Sequence, residues 1–265
     1  MLKINSIKKV FAAGSINEKI ALNNLSLSLE EGEFVTIIGD NGAGKSTLLN
    51  CIAGEYIIDE GQILLDDIDI TYLPEYKRSQ YIGRVFQDPL KGTAYDMTIA
   101  ENLAIAYAKG KPKGLRPGIN KKDIELFRGK LSLLHLGLED RLNQKVGLLS
   151  GGQRQALTLL MATIVKPKLL LLDEHIAALD PKIAEKILQL TGEIVKKENI
   201  STLMITHNMK AALDHGTRTI MMHEGQIILD IKGKEREDMT IEKLIDQFGK
   251  KARHELEDDR ILLSK

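Results

Sequence analysis

A single cysteine, Cys51, stands in 265 residues, so no internal disulfide can form and a reducing compartment suits the chain. Net charge is missing too, because 37 Lys and Arg balance 37 Asp and Glu. A protein built to coat nucleic acid is usually basic, so no nucleic-acid partner is expected. No stretch approaches the ~20 apolar residues that a membrane helix requires. Met1–Asn5 lacks the apolar run of a signal peptide. If the protein works at a membrane, a separate component must hold it there. Sustained heptads, internal repeats and long low-complexity segments are also absent. What is present, 43% hydrophobic and 28% charged residues, suffices for one large α/β domain or two small lobes with a packed core.

Leu25, Leu27 and Leu29 alternate with Ser26 and Ser28, the period of a half-buried strand. Glu31-Gly32 supplies a turn, and Phe34–Ile38 is a β-rich run leading into a glycine-rich loop. Ser46–Ala53 reads as a helix stopped by Gly54, and Gly61–Ile70 as an edge strand. The N-terminal portion is therefore expected to be partly antiparallel, wrapped on an α/β core. From Asp88 to about Lys166 helical patterns dominate, notably Ile99–Ala108 and Lys121–Leu136. The stretch 109–120, rich in Gly, Pro and Lys, reads as a solvated surface loop, with contact to a partner or acidic lipid as the alternative. Leu169–Leu172 is a continuous apolar run, the kind buried on both faces of a parallel sheet. Asp180-Pro181 is an N-cap with proline at the first helical position, so a helix should run to about Lys197. Thr202–Thr206 reads as a further buried strand, and Ile220–Ile231 as a hairpin turning at Glu224-Gly225. The tail after Gly233 carries both signs of charge and is expected to be partly helical.

Gly39–Ser46 fits the pattern G-x-x-x-x-G-K-[ST] between a strand and a helix. Glycines let backbone N–H groups face a phosphate, and the helix that follows adds its positive end. Lys45 would reach the β- and γ-phosphates, and the Ser46 hydroxyl would bind Mg²⁺. The Leu169–Leu172 strand delivers Asp173 to its carboxyl end, where α/β sheets bind ligands. There Asp173 can hold magnesium through water, and Glu174 can polarise the attacking water as a general base. Taken without the glycine loop, the same stretch reads first as a buried strand ending in a solvated acidic turn. In Leu149-Ser150-Gly151-Gly152-Gln153, Ser150 is an N-cap for a helix from Gln153 to Val165. Its two glycines would bare N–H groups as a second anion site.

These motifs, in this order, resemble those of the ATP-binding cassette (ABC) ATPases over about residues 2–231. The resemblance implies an α/β, P-loop NTPase core with a mixed sheet, an N-terminal antiparallel β subdomain and an inserted helical signature subdomain. The ATPase domain would span 1–235, with the helical part at about 88–166, and a charged tail would occupy 236–265. Gly39, Asn41, Gly42, Ala43, Gly44, Lys45, Ser46 and Thr47 resemble the Walker A nucleotide loop. Ser150, Gly151, Gly152 and Gln153 resemble the signature that meets the γ-phosphate held by a second, head-to-tail copy. Asp173 and Glu174 resemble Walker B and the catalytic glutamate. Gln87 resembles the Q-loop glutamine that touches magnesium and the attacking water, giving Ser46, Gln87 and Asp173 as metal-facing residues. Asp180, in Ala177–Asp180, resembles the D-loop, and His207 the switch histidine. Phe11 falls where the family stacks an aromatic ring on adenine.

His175-Ile176 departs from the Pro-Thr/Ser that many relatives carry; the sequence assigns His175 no role, and a surface substitution is the plainest alternative. The segments 86–94, 146–158 and 173–181 resemble ATP-binding subunits of bacterial importers assigned to tryptophan, tyrosine or related small molecules. The family reading thus implies an ATP- and Mg²⁺-dependent ATPase at the cytoplasmic face of a bacterial membrane. Its partners would be permease subunits and a separate substrate-binding protein. A soluble ABC-type ATPase outside transport, as in iron–sulfur assembly, is the rival reading.

Overall fold

A computed structural model describes residues 1–110, 118–247 and 249–250. Residues 111–117, most of the basic loop, and the tail beyond 250 lie outside the described residues. In chain order the elements are β1 (Leu2–Phe11), β2 (Lys19–Leu29), β3 (Phe34–Gly39), α1 (Lys45–Ala53), β4 (Glu60–Leu65), β5 (Ile68–Asp69), α2 (Glu75–Arg78) and β6 (Ile82–Val85). There follow α3 (Ile99–Tyr107), α4 (Lys121–Ser132), α5 (Gly151–Thr163), β7 (Leu169–Asp173), α6 (Pro181–Glu198), β8 (Ser201–Ile205), α7 (Met209–Asp214), β9 (Arg218–His223), β10 (Gln226–Lys232) and α8 (Lys234–Glu237). The chain divides into two compact units, one comprising Met1–Glu75 with the segment from Leu203 onward, the other Tyr76–Thr202. The fold is α/β, with a mixed sheet and a separate antiparallel sheet.

The first unit holds the antiparallel sheet, ordered β2-β1-β4-β5. It also holds the run β10-β9-β3-β8, in which β9 pairs parallel with β3 and antiparallel with β10. Leu22, Leu25, Leu27 and Leu29 of β2 are buried, as the alternation requires. β1 escaped the sequence pattern because its alternation breaks. Ser6 adopts φ 46°, and the register with β2 shifts between Ile4 and Ile7. The expected single strand over 61–70 is instead a hairpin, since Asp66 and Asp67 both take positive φ and close a two-residue turn between β4 and β5. α1 ends where expected, with Gly54 as a left-handed C-cap. The C-terminus of α7 is bound by Arg236, whose Nη2 donates to the carbonyls of Ala212, Leu213 and His215 at 3.0, 2.7 and 2.8 Å. That contact fixes the helix that begins two residues after His207.

In the second unit, β6 and β7 pair in parallel, Ile82 opposite Leu169 through Val85 opposite Leu172. Leu169–Leu172 are each 0% exposed, so this strand is covered on both faces. Between 88 and 166 the described regular elements are helical, with Phe127 and Leu131 of α4 and Leu157 and Leu159 of α5 fully buried. α4 stops at Ser132 rather than continuing to Leu136, because His135 turns left-handed at φ 51°. His175 is not a surface substitution. It is 2% exposed, and its Nε2 lies 3.3 Å from Thr191 Oγ1 on α6. The Thr191 hydroxyl proton is directed at the Ile187 carbonyl at 2.7 Å, so Thr191 accepts from the Nε2–H of His175. Imidazole therefore ties the segment after Glu174 to helix α6, a bond no local pattern reveals.

The first unit is cross-linked by one buried cation. Arg218 on β9 donates from Nε and Nη2 to the two carboxylate oxygens of Asp230 on β10, each at 2.6 Å. Its Nη1 donates to Ser28 O at 2.8 Å and to Glu33 Oε1 at 3.3 Å. Hydrogen bonding to Asp230, opposed by burial, raises the Arg218 pKa above its ordinary value. Arg218→Met leaves two carboxylates without their cation. Because Asp230 remains partly open to water, we expect a loss of about 2–3 kcal/mol in urea unfolding rather than the larger cost of a fully dry pair. A loss under about 0.5 kcal/mol would mean the network acts as an ordinary surface contact.

Candidate nucleotide site

The glycine-rich loop closes between β3 and α1 in the first unit. Gly44, the N-cap of α1, adopts φ 94°, and a Cβ there would overlap the Ala21 carbonyl oxygen. Glycine is required by both conformation and space. Gly44 brings no side-chain acceptor to the first turn of α1, so the helix start offers its N–H groups to an anion. Gly39, Gly42 and Gly44 all take positive φ, which curls the loop. Ala43 and Lys45 are buried, while Asn41, Gly42 and Ser46 are exposed and Thr47 is half-buried. The Lys45 ammonium folds onto the loop, donating to Gly39 O at 2.8 Å and Asp40 O at 2.7 Å. Those carbonyls hold it where an arriving phosphate would compete for it.

His207, at the end of β8, is exposed. It lines a cavity of about 280 Å³ together with Gly39, Asp40 and Asn41. The first unit thus brings His207 and the head of the glycine-rich loop to one hollow. Asn208 caps α7 by accepting from Ala211 N–H at 3.0 Å, so His207 is fixed at a strand-to-helix junction. Phe11 packs edge-on against Tyr56 with ring centroids 5.3 Å apart, and Lys9 Nζ sits 5.6 Å from its centroid. Its cross-strand partner is Lys19. A Cβ at Gly42 would lie 3.4 Å from Lys19 Nζ, so a second ammonium stands at the loop. No local motif marks Lys19, because its place depends on strand register.

The second unit carries the acidic and signature elements. Asp173 and Glu174, both half-buried, follow the leucine strand β7. Glu174 takes φ 47°, a left-handed conformation costing a non-glycine residue about 1–2 kcal/mol. Such strain is retained where the surroundings demand it, and it points to function. Gln87, exposed just past β6, donates from Nε2 to Glu174 Oε2 at 3.2 Å. The two residues singled out for water activation are therefore neighbours in space, 87 positions apart in sequence.

Ser150 caps α5 in a reciprocal box. Gln153 N–H donates to Ser150 Oγ at 3.3 Å, and Ser150 N–H to Gln153 Oε1 at 3.2 Å. The Ser150 oxygen accepts there, which leaves its own proton to donate to a phosphate. The Gln153 N–H is thus capped rather than bare. Gly152 has a packing reason as well, since a Cβ there would overlap Ile183 Cγ2 on α6. Gly151 has only Leu179 Cδ2 near, at 3.6 Å from a built Cβ. Asp180 caps α6, accepting from Lys182 N–H at 3.0 Å, ahead of Pro181.

Residues 22–177 match the family model described as ABC transporter. The chain is 48% identical over 248 residues to the tyrosine transport ATP-binding protein of Clostridioides difficile strain R20291, spanning 94% of this chain and 98% of that protein. It is 34% identical over 232 residues to the spermidine/putrescine import ATP-binding protein of Haemophilus influenzae strain Rd, spanning 87% of this chain but only 57% of that longer relative. The solved dimeric structure of the bacterial ABC transporter cassette MJ0796 superimposes with TM-score 0.76 at 30% identity, covering 88% of this chain and 98% of that one. The same cassette in its dimeric post-hydrolysis state, bound to ADP and Pi, gives TM-score 0.75 at 29% identity with the same coverage. With a family model matching more than half of it and these likenesses over nearly its whole length, the chain belongs to the ABC transporter family.

Proposed function

We propose that this ABC ATPase drives uptake of tyrosine or a closely related amino acid, acting as a head-to-tail pair on the cytoplasmic face of the membrane. The observation that carries the hydrolytic half is the contact between Gln87 and a strained Glu174. The cargo half is supported by the 48% identity to a tyrosine transport ATP-binding protein of nearly the same length. Among the described residues no helix is long and apolar enough to cross a membrane, and integral permease subunits are partners in this reading. A separate substrate-binding protein completes the importer in this reading. The relatives compared are transport ATP-binding proteins, which leaves the iron–sulfur assembly alternative without support.

The residues divide the work of phosphoryl transfer, which is mostly positioning and charge stabilisation. Gly39–Thr47 receives the triphosphate on backbone N–H groups, and Lys45 exchanges its carbonyl partners for phosphate oxygens. Phe11 packs against the base. Among the described residues no cluster of three or more His, Cys, Asp or Glu is arranged to cage a metal. The hydroxyl of Ser46, the carboxylate of Asp173 and the amide oxygen of Gln87 are hard oxygen donors that suit Mg²⁺ held jointly with phosphates. When bound, that ion would neutralise charge on the β- and γ-phosphates. Glu174 takes a proton from the attacking water, Gln87 orients the pair, and His207 contacts the γ-phosphate. Ser150–Gln153 closes on the nucleotide of the other copy, with Asp180 at the seam. The ATPase region is placed at 1–235, its helical part at 88–166, with the remaining 236–265 as a tail.

Glu174→Gln removes the base but keeps the shape. The expected result is a fall in phosphate release of roughly 10²–10⁴-fold and accumulation of an ATP-bound dimer in sedimentation velocity. A variant that hydrolyses at the wild-type rate would remove Glu174 from its role. For the cargo, deleting the gene should lower uptake of labelled tyrosine by cells. Wild type should restore it and Glu174→Gln should not. Unchanged tyrosine uptake in the deletion strain would overturn the cargo assignment while leaving the ATPase intact.

A further inference from the structure

The β9–β10 turn takes no part in the reaction above, yet it is fastened to the phosphate loop. Gly225 N–H donates to Ala43 O at 3.1 Å, and Gly225 O accepts from Asn23 N–H at 3.1 Å. A Cβ at Gly39 would overlap the Met222 carbonyl oxygen, so strand and loop backbones are in contact. At the end of β9, His223 Nδ1 lies 3.4 Å from Asp40 Oδ2, the second residue of the loop. The His223 side chain is only 16% exposed, whereas that of Asp40 is 56% exposed.

We infer that His223 is a positioning residue for ATP: its protonated imidazole holds and neutralises Asp40, which makes nucleotide affinity depend on a proton. The inference rests on reading Gly39–Thr47 as the ATP phosphate site. A carboxylate in a loop that receives a polyanion repels it. A cation clamped on that carboxylate removes the repulsion and keeps the loop head in place. Imidazole is a cation only while protonated, so the clamp on Asp40 exists in one protonation state and not in the other. By linkage, ATP binding must then tighten as pH falls and weaken as pH rises.

Other charged groups face the same place. Glu224 Oε1, on the same turn, is 4.0 Å from His223 Nε2. Lys45 Nζ is held on the Asp40 carbonyl, Lys19 Nζ stands near Gly42, and His207 lines the cavity that Asp40 also lines. Lys45 and Lys19 bring positive charge to the loop, and Glu224 brings negative charge to the turn. His207 and the γ-phosphate of ATP can also take up a proton, so the test must separate them from His223.

The test is the equilibrium dissociation constant for ATP at about pH 6 and about pH 8, for wild type, His223→Gln, Asp40→Asn and the double variant, with thermal melts confirming folding. Both the γ-phosphate and His207 are common to every arm. The wild-type ratio between the two pH values should exceed that of His223→Gln by about threefold, the size expected of a partly exposed ion pair. Asp40→Asn should match His223→Gln, and the double variant should change nothing further. If His223→Gln does not fold, Asp40→Asn against wild type carries the same comparison. Equal pH ratios in wild type and the single variants overturn the inference, since the proton then belongs to His207 or the nucleotide. Loss of all ATP binding by folded wild type would instead sink the reading of the site.

Discussion

Backbone packed against backbone at the phosphate loop is the constraint on which the rest of the site depends. The loop is wedged where side chains cannot fit: Gly44 against the Ala21 carbonyl, Gly39 against the Met222 carbonyl. Ala43 is tied to Gly225 by a hydrogen bond. Those contacts come from β2, β9 and the β9–β10 turn, so the antiparallel sheet and the hairpin set the shape of the glycine-rich loop. A preformed cradle needs little rearrangement when phosphate arrives, which is where a positioning enzyme gains most. The Arg218–Asp230–Glu33 network supports the same region from behind, because it fixes β9 at its opposite end.

The second unit solves a different problem. A strand of four leucines, each fully buried, brings two carboxylates to the edge of water. Burial alone would fix only the strand. The conformation of Glu174 is held from both directions: Gln87 reaches its carboxylate, and His175 anchors the next residue to Thr191 on α6. The left-handed turn at Glu174 is thus bracketed by bonds, which explains how the strain survives in the folded chain.

Much of this was legible in the chain itself. The stretches 39–47, 149–153 and 169–174 are local motifs, and strand alternation and helix caps put them on the elements that the fold shows. Ser150, Asp180 and Gly54 act as caps because capping is decided within a few residues. What could not be read depended on distant partners or on broken patterns. β1 was hidden by its bulge, and the break at Asp66-Asp67 by a run that looked uniformly strand-like. The sequence assigns His175 no role because its partner, Thr191, lies sixteen positions away on α6. Lys19 and His223 emerged only once register and turn geometry were known.

The account holds that the triphosphate is gripped by the loop 39–47 through its N–H groups and the Lys45 ammonium. Equilibrium titration of ATP into wild type and Lys45→Ala, each confirmed folded, tests that most directly. Wild type should bind, and the variant should lose roughly tenfold to a hundredfold in affinity, as expected when a charge-assisted contact of 1.5–3 kcal/mol is removed. Equal affinity in the two proteins would place the nucleotide elsewhere and contradict the account.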